Sequence, residues 1–231
     1  MIDKLLEYIF PSRCIFCGRL GSTPCVECEK EIKKIEGRVC LKCGVPIGDI
    51  VYNYCSYCIN KKTYYDKIIP VFYYDKKVKK GIRLFKYHGF YQSAEKFSEF
   101  MKEAIEKSDI IYDIIVPVPI SRKRFLKRGY NHSELLAMKL SKLLKTRYVN
   151  VLIRTKDTKP FYKLKKEQRE KEIRNSIVIN KRYIDLIKDK NVLLIDDIFT
   201  TGATLNECSR ILKENGAQKV FAAVIAIAKY R

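Results

Sequence analysis

At 231 residues the chain is long enough for one sizeable domain and a small appendage, and 47% hydrophobic content is enough for a real core. A formal charge of +21 attracts polyanions, either nucleic acid or a small polyphosphate. Charge alone does not choose between them, because the Lys excess accompanies much Ile, Asn and Tyr, as a biased genome gives.

At the N-terminus, Asp3, Lys4 and Glu7 interrupt any export-signal core, and no apolar run approaches membrane-spanning length. A cytoplasmic protein without membrane insertion is expected. Ile2, Leu5, Leu6 and Ile9 follow helical spacing and predict a short helix.

Four C-x-x-C pairs follow: Cys14 and Cys17, Cys25 and Cys28, Cys40 and Cys43, Cys55 and Cys58. In a reducing compartment such pairs are metal ligands before they are disulfides, since each two-residue gap aims both sulfurs at one ion. Eight thiols make two Cys₄ Zn²⁺ sites. CIFCGRLGSTPCVEC is echoed by CLKCGVPIGDIVYNYCSYC, each with Gly after its second cysteine. The repeat supports sequential pairing; a crossed pairing stays open. Four thiolates leave no coordination position for water, so the sites are structural, and metal supplies the folding free energy that so short a segment cannot. The ribbon's own contact surface, whether nucleic acid, a partner protein or the rest of the chain, is left open.

Near residue 60 the composition shifts, dividing the chain into 1–60 and 61–231. Ile68 to Tyr74 reads as a strand and Val78 to Tyr87 as a helix. The helix's basic end, Lys86-Tyr87-His88-Gly89, suits a phosphate, and is equally explained by the helix dipole. Ala94 to Ile105 is an amphipathic helix, and Asp113 to Pro119 a buried strand that ends where proline stops donating. Arg122, Lys123, Arg124, Lys127 and Arg128 then fall in a predicted loop with no acid until Glu134. At the C-terminal edge of a parallel sheet, a pyrophosphate-binding role is preferred to a solvated surface.

Residues 154 to 174 are basic and lack apolar periodicity, as a lid or disordered segment would. Val192 to Ile195 is a buried strand, followed at once by Asp196 and Asp197 and then by Thr200-Thr201-Gly202-Ala203-Thr204. Gly202 permits a tight turn, and the hydroxyls join the free N–H groups of a helix N-terminus, a cradle for an anion. Adjacent carboxylates accept hydrogen bonds from vicinal hydroxyls, so one ligand satisfying both features is a ribose 5-phosphate. A P-loop is excluded because no Lys follows the Gly, and no G-x-G-x-x-G spacing exists. Leu205 to Glu214 is a helix with Cys208 buried as a small apolar residue, and Val220 to Ala228 a covered strand. Strands alternating with helices give an α/β fold with an open, mostly parallel sheet.

The stretch VLLIDDIFTTGAT resembles the fingerprint of type I phosphoribosyltransferases, which bind phosphoribosyl pyrophosphate. V-P-V-P, clustered Arg and R-G-Y-N, with K-Y-H-G upstream, narrow the resemblance to the ComF family, whose members often carry an N-terminal zinc ribbon and are linked to DNA uptake in natural transformation. Tyr130 and His132 stand where that family commonly has Phe and Gln. Thr158 and Arg169 can be placed on a further family motif, whose Gln is missing here. The resemblance implies a phosphoribosyltransferase using phosphoribosyl pyrophosphate with Mg²⁺. Asp196 and Asp197 would hold the ribose hydroxyls, Thr200 to Thr204 the 5-phosphate, and Arg122, Lys123, Arg124 and Arg128 the pyrophosphate. Lys86, Tyr87, Asn131 and Arg169 are candidates on the substrate side. No residue stands out as a general base, and the acceptor is unknown. Two other readings are a module binding single-stranded DNA beside the competence machinery, with Phe161 and Tyr162 stacking among basic residues, and a regulator responsive to phosphoribosyl pyrophosphate.

Overall fold

The computed structural model describes residues 12–48, 51–87, 93–156 and 173–228. The predicted N-terminal helix, His88, Gly89, Thr158, Phe161, Tyr162 and Arg169 lie outside them.

Five strands form one wholly parallel sheet: β1 (Lys67–Tyr73), β2 (Ile114–Pro117), β3 (Arg147–Tyr148), β6 (Asn191–Phe199) and β7 (Lys219–Ile227), in the order β1-β7-β6-β2-β3. Their β-branched, apolar sequences suit strands covered on both faces. β4 (Leu152–Arg154) and β5 (Ile177–Ile179) pair antiparallel as a separate two-stranded hood.

Because strand side chains alternate, each central strand feeds two cores. Leu193, Ile195, Ala223 and Ile225 meet α2 (Lys76–Tyr87), α3 (Ser93–Glu106) and α5 (His132–Leu143) through residues such as Phe85, Phe97 and Leu136. Val192, Leu194, Ala222 and Val224 meet α6 (Ala203–Glu214) and the hood through Leu205, Leu212 and Ile177. Cys208 is fully buried in this second core, as its position on the helix predicts.

The basic stretch expected as a loop is instead a helix, α4 (Arg122–Arg128). Ser121 precedes it in extended conformation, and Gly129 ends it in the left-handed region with its N–H on Phe125 O. None of its residues is buried, so it lacks the apolar stripe by which a helix is read from sequence.

The cysteine-rich segment straddles the β1 edge of the sheet. Its two halves repeat one fold: Cys14 N–H donates to Arg19 O and Gly18 N–H to Cys14 O, while Cys40 N–H donates to Val45 O and Gly44 N–H to Cys40 O, all at 2.8 Å. Gly18 and Gly44 both hold a left-handed φ, +80° and +74°. The first half, with its short helix α1 (Val26–Glu31), packs into the α2/α3 core, and the second into the α6 core. The linker between them and the start of the second half pair with β1, Ile35 N–H donating to Val71 O at 2.8 Å and Ile68 N–H to Leu41 O, within the Cys40–Cys43 knuckle, at 2.9 Å.

Candidate phosphate and sugar site with two metal centres

Each set of four thiols, Cys14/Cys17/Cys25/Cys28 and Cys40/Cys43/Cys55/Cys58, gathers within 4.8 Å, which is the sequential pairing. Cys17 Sγ lies 3.8 Å from Cys25 Sγ, and Cys43 Sγ 3.7 Å from Cys55 Sγ. A tetrahedron with Zn–S bonds of about 2.3 Å has edges of about 3.8 Å, so both sets fit zinc.

At the C-terminal edge of the sheet, β6 delivers Asp196 and Asp197 into a cavity of about 410 Å³. The two acids sit in different fields. Asp196 is 9% exposed, and its Oδ1 accepts from Ser133 Oγ at 3.0 Å and from Asp197 N–H at 2.9 Å. Burial and then repulsion from Asp197 push its carboxyl up to about 7. Asp197 is buried too, but Lys86 forms an ion pair with it and His132 Nε2 stands 3.5 Å from its Oδ1. Burial raises its pKa, yet Lys86 and then His132 outweigh that and hold the carboxylate well below its ordinary range.

His132 is buried and its pKa is lowered by desolvation, so it is neutral at pH 7. Its Nδ1 lies 3.1 Å from Arg128 Nη1. A guanidinium only donates, so Nδ1 accepts and the ring hydrogen sits on Nε2, facing Asp197. Arg128 also donates to Tyr87 Oη at 2.8 Å and lies over the Tyr87 ring at 4.8 Å. Arg124 lines the same wall, its guanidinium pKa lowered chiefly by burial and then by Arg128.

The Thr200 to Thr204 loop lines the cavity too, and leads into the amide-rich first turn of α6. Gly202 has φ +80°, and a Cβ there would come within 2.7 Å of the Phe199 ring. Only glycine fits both demands.

Of the residues expected from sequence, Asp196, Asp197, Thr200 to Thr204, Lys86, Arg124 and Arg128 share this cavity. Arg122 and Lys123 are exposed on α4 and do not line it. Tyr87 reaches it through Arg128. Asn131 serves the fold: its Oδ1 caps α5 by accepting from Ser133 N–H at 3.1 Å, and its Nδ2 donates to Val118 O at 3.1 Å. Sequence reasoning missed Arg154, 8% exposed on β4 and lining the same cavity as the Thr200 to Thr204 loop, together with Lys79, Ser133 and a site role for His132. The one signal available for His132 was its place just after R-G-Y-N, and for Lys79 its spacing seven residues before Lys86.

Residues 5–59 match the family model of the double zinc ribbon domain, and residues 131–230 that of the phosphoribosyl transferase domain. The chain is 28% identical over 225 residues to Competence protein F of Haemophilus influenzae, covering 91% of this chain and 95% of that one. It is 29% identical over 218 residues to Competence protein ComFC of Bacillus subtilis, covering 88% and 83%. It is 25% identical over 188 residues to DNA utilization protein YhgH of Escherichia coli (strain K12), covering 79% and 81%. Among the described residues no helix is long and apolar enough to cross a membrane.

Proposed function

We infer that this chain is a ComF-type phosphoribosyltransferase-like protein with a double zinc ribbon, that it binds phosphoribosyl pyrophosphate with Mg²⁺ and that it transfers the phosphoribosyl group to an acceptor. One observation carries the reading: a single cavity is lined by two adjacent carboxylates, a threonine-glycine loop at a helix N-terminus, and the cations Lys86, Arg124 and Arg128. A phosphate cradle, hydroxyl acceptors and cations in one cavity answer the 5-phosphate, ribose and pyrophosphate of one molecule.

Each group then has a task. The loop amides and Arg154 hold the 5-phosphate, and Asp196 and Asp197 accept from the ribose hydroxyls. As the bond from C1 to the pyrophosphate oxygen breaks and the bond to the acceptor forms, Arg124 and Arg128 neutralise the charge gathering on the leaving group. The acids also fit Mg²⁺: carboxylate oxygens are hard donors, and a cation would favour the ionised form of Asp196. When bound, Mg²⁺ supplies further neutralisation of the pyrophosphate.

Calorimetric titration with phosphoribosyl pyrophosphate, with and without Mg²⁺, tests the reading. Micromolar, Mg²⁺-dependent binding that weakens in Asp197→Asn supports it, and silence from a folded protein with both zincs overturns it. The relatives' names extend the proposal to a role in competence.

A second reading, contact with single-stranded DNA, draws on α4, where Phe125 and Leu126 are 46% and 73% exposed among five cationic side chains. Charge reversal at Lys123 and Lys127 would then weaken oligonucleotide binding and flatten its salt dependence, with no effect on the sugar-phosphate affinity.

A further inference from the structure

The cavity described above is not the only one that the phosphate loop borders. Behind the loop, on the side away from the carboxylates, a cavity of about 450 Å³ is walled by Thr201, Gly202 and Ala203 on one side and by Cys43 and Cys58 of the second metal centre on the other. One side chain spans the gap. Tyr65 is 5% exposed and its hydroxyl donates to Lys42 O at 2.8 Å, inside the Cys40–Cys43 knuckle. Its ring meets Phe199 edge to face at 6.4 Å. The Cβ position of Gly202 lies 3.1 Å from its hydroxyl oxygen and 2.7 Å from the Phe199 ring. Next to it, Tyr64 N–H donates to Asn206 Oδ1 at 2.8 Å, and Asn206 N–H donates to Gly202 O at 2.8 Å. Lys42 in turn ties the two knuckles of that centre together, its Nζ donating to Cys58 O at 3.2 Å.

We propose that Tyr65 is a positioning residue that links the second metal centre to the phosphate loop, so that zinc at Cys40/Cys43/Cys55/Cys58 and a sugar phosphate at Thr200 to Thr204 strengthen each other's binding. The physical path is short. A loop that cradles an anion must keep its amides aimed inward, and Gly202 holds a left-handed conformation that could relax backward if nothing stood behind it. Phe199 and Tyr65 stand behind it. Tyr65 keeps its place through a carbonyl whose direction is set by the knuckle, and the knuckle is set by the metal. Coupling between two ligands is reciprocal, so whatever the metal does for the phosphate, the phosphate does for the metal. The first metal centre packs on the other face of the sheet and lacks this path, so the linkage belongs to one zinc of the two.

The proposal rests on the phosphate-loop reading above, and the experiment separates their failures. Zinc-loaded full-length protein is mixed with a chromophoric chelator, and release of the two zincs is followed with and without saturating ribose 5-phosphate. Calorimetry with ribose 5-phosphate runs in parallel. In the wild type one of the two release phases slows about fivefold with ribose 5-phosphate present, the other not at all. In Tyr65→Phe, which keeps the ring and loses the hydroxyl, ribose 5-phosphate binds about fivefold more weakly and the slowing disappears. If ribose 5-phosphate binds the wild type but neither zinc phase responds, the linkage is overturned while the phosphate loop stands. If ribose 5-phosphate does not bind at all, the phosphate-loop reading falls and takes the linkage with it. Slowing that persists in folded Tyr65→Phe overturns Tyr65 as the link, and should that variant fail to fold, the wild-type arm still decides whether the two ligands are linked.

Discussion

Lys86, in the last turn of α2, is ion-paired with Asp197 near the C-terminal end of β6, joining two elements that both line the cavity. The two side chains are only 16% and 6% exposed. A pair so enclosed is costly to break, because the survivor is left as a buried charge.

Lys86→Met therefore destabilises the protein by about 3 kcal/mol in denaturant unfolding at pH 7, far more than a surface lysine would. The sign of the pH dependence follows from Asp197, whose pKa is depressed in the fold. Its contribution is present above the ordinary carboxylate range and is lost as the pH falls through and below that range. Lys86→Met should accordingly flatten the acid limb of the stability curve.

Asp196 behaves in the opposite way. Folding raises its pKa to about 7, so between about pH 4 and 7 the native chain keeps a proton that the unfolded chain has released, and this group withdraws stability as the pH rises. A cation beside the acids needs the ionised form. Mg²⁺-dependent affinity for phosphoribosyl pyrophosphate should rise about tenfold per unit from pH 5 towards 7 and level off above. Calorimetry at several pH values reads this, and Asp196→Asn should remove the slope.

Gly202→Ala places a methyl against the Phe199 ring and forces a non-glycine residue to φ +80°. A loss of about 1–3 kcal/mol in unfolding free energy is expected, with sugar-phosphate binding abolished. Unchanged binding would show that the loop conformation is not what holds the phosphate.

Metal analysis should return two zinc ions per chain. Stripping them removes on the order of 10 kcal/mol of folding free energy per site, so circular dichroism should report a lost ribbon. The β1 edge that the ribbon covers then becomes a pairing surface, and light scattering should show the stripped protein associating.

What could be read from sequence follows from the range of each interaction. The acids, the Thr-Gly turn and the strand before them lie within 13 residues and carry their own geometry, whereas the cysteine repeat favoured the sequential pairing but left a crossed one open until the structure placed the thiols. α4 was misread because a helix with no buried residue has no apolar period to show. Arg154 was passed over because its value lies in the antiparallel pairing of β4 with β5, which brings it to a loop some 46 positions further along the chain. Lys86 was ambiguous because a lysine on a helix's last turn looks the same whether it answers the dipole or a buried acid. Tyr65 carried no signal at all, since what its hydroxyl meets is a backbone carbonyl and the bare face of a glycine, neither of which a sequence displays.

The linker between the two cysteine knuckles also bears on how the chain is made. β1 hydrogen-bonds to β7, whose residues lie some 150 positions later, so on the ribosome β1 must wait for almost the whole chain to emerge. Its other edge meets Ile35 and Leu41, which precede it and are already available. The ribbon can therefore take hold of β1 as soon as that strand appears, using contacts of low sequence separation, while the rest of the sheet is still being translated. A cell short of zinc would lose that early chaperoning within the chain, and its newly made copies would reach β7 with an unprotected strand.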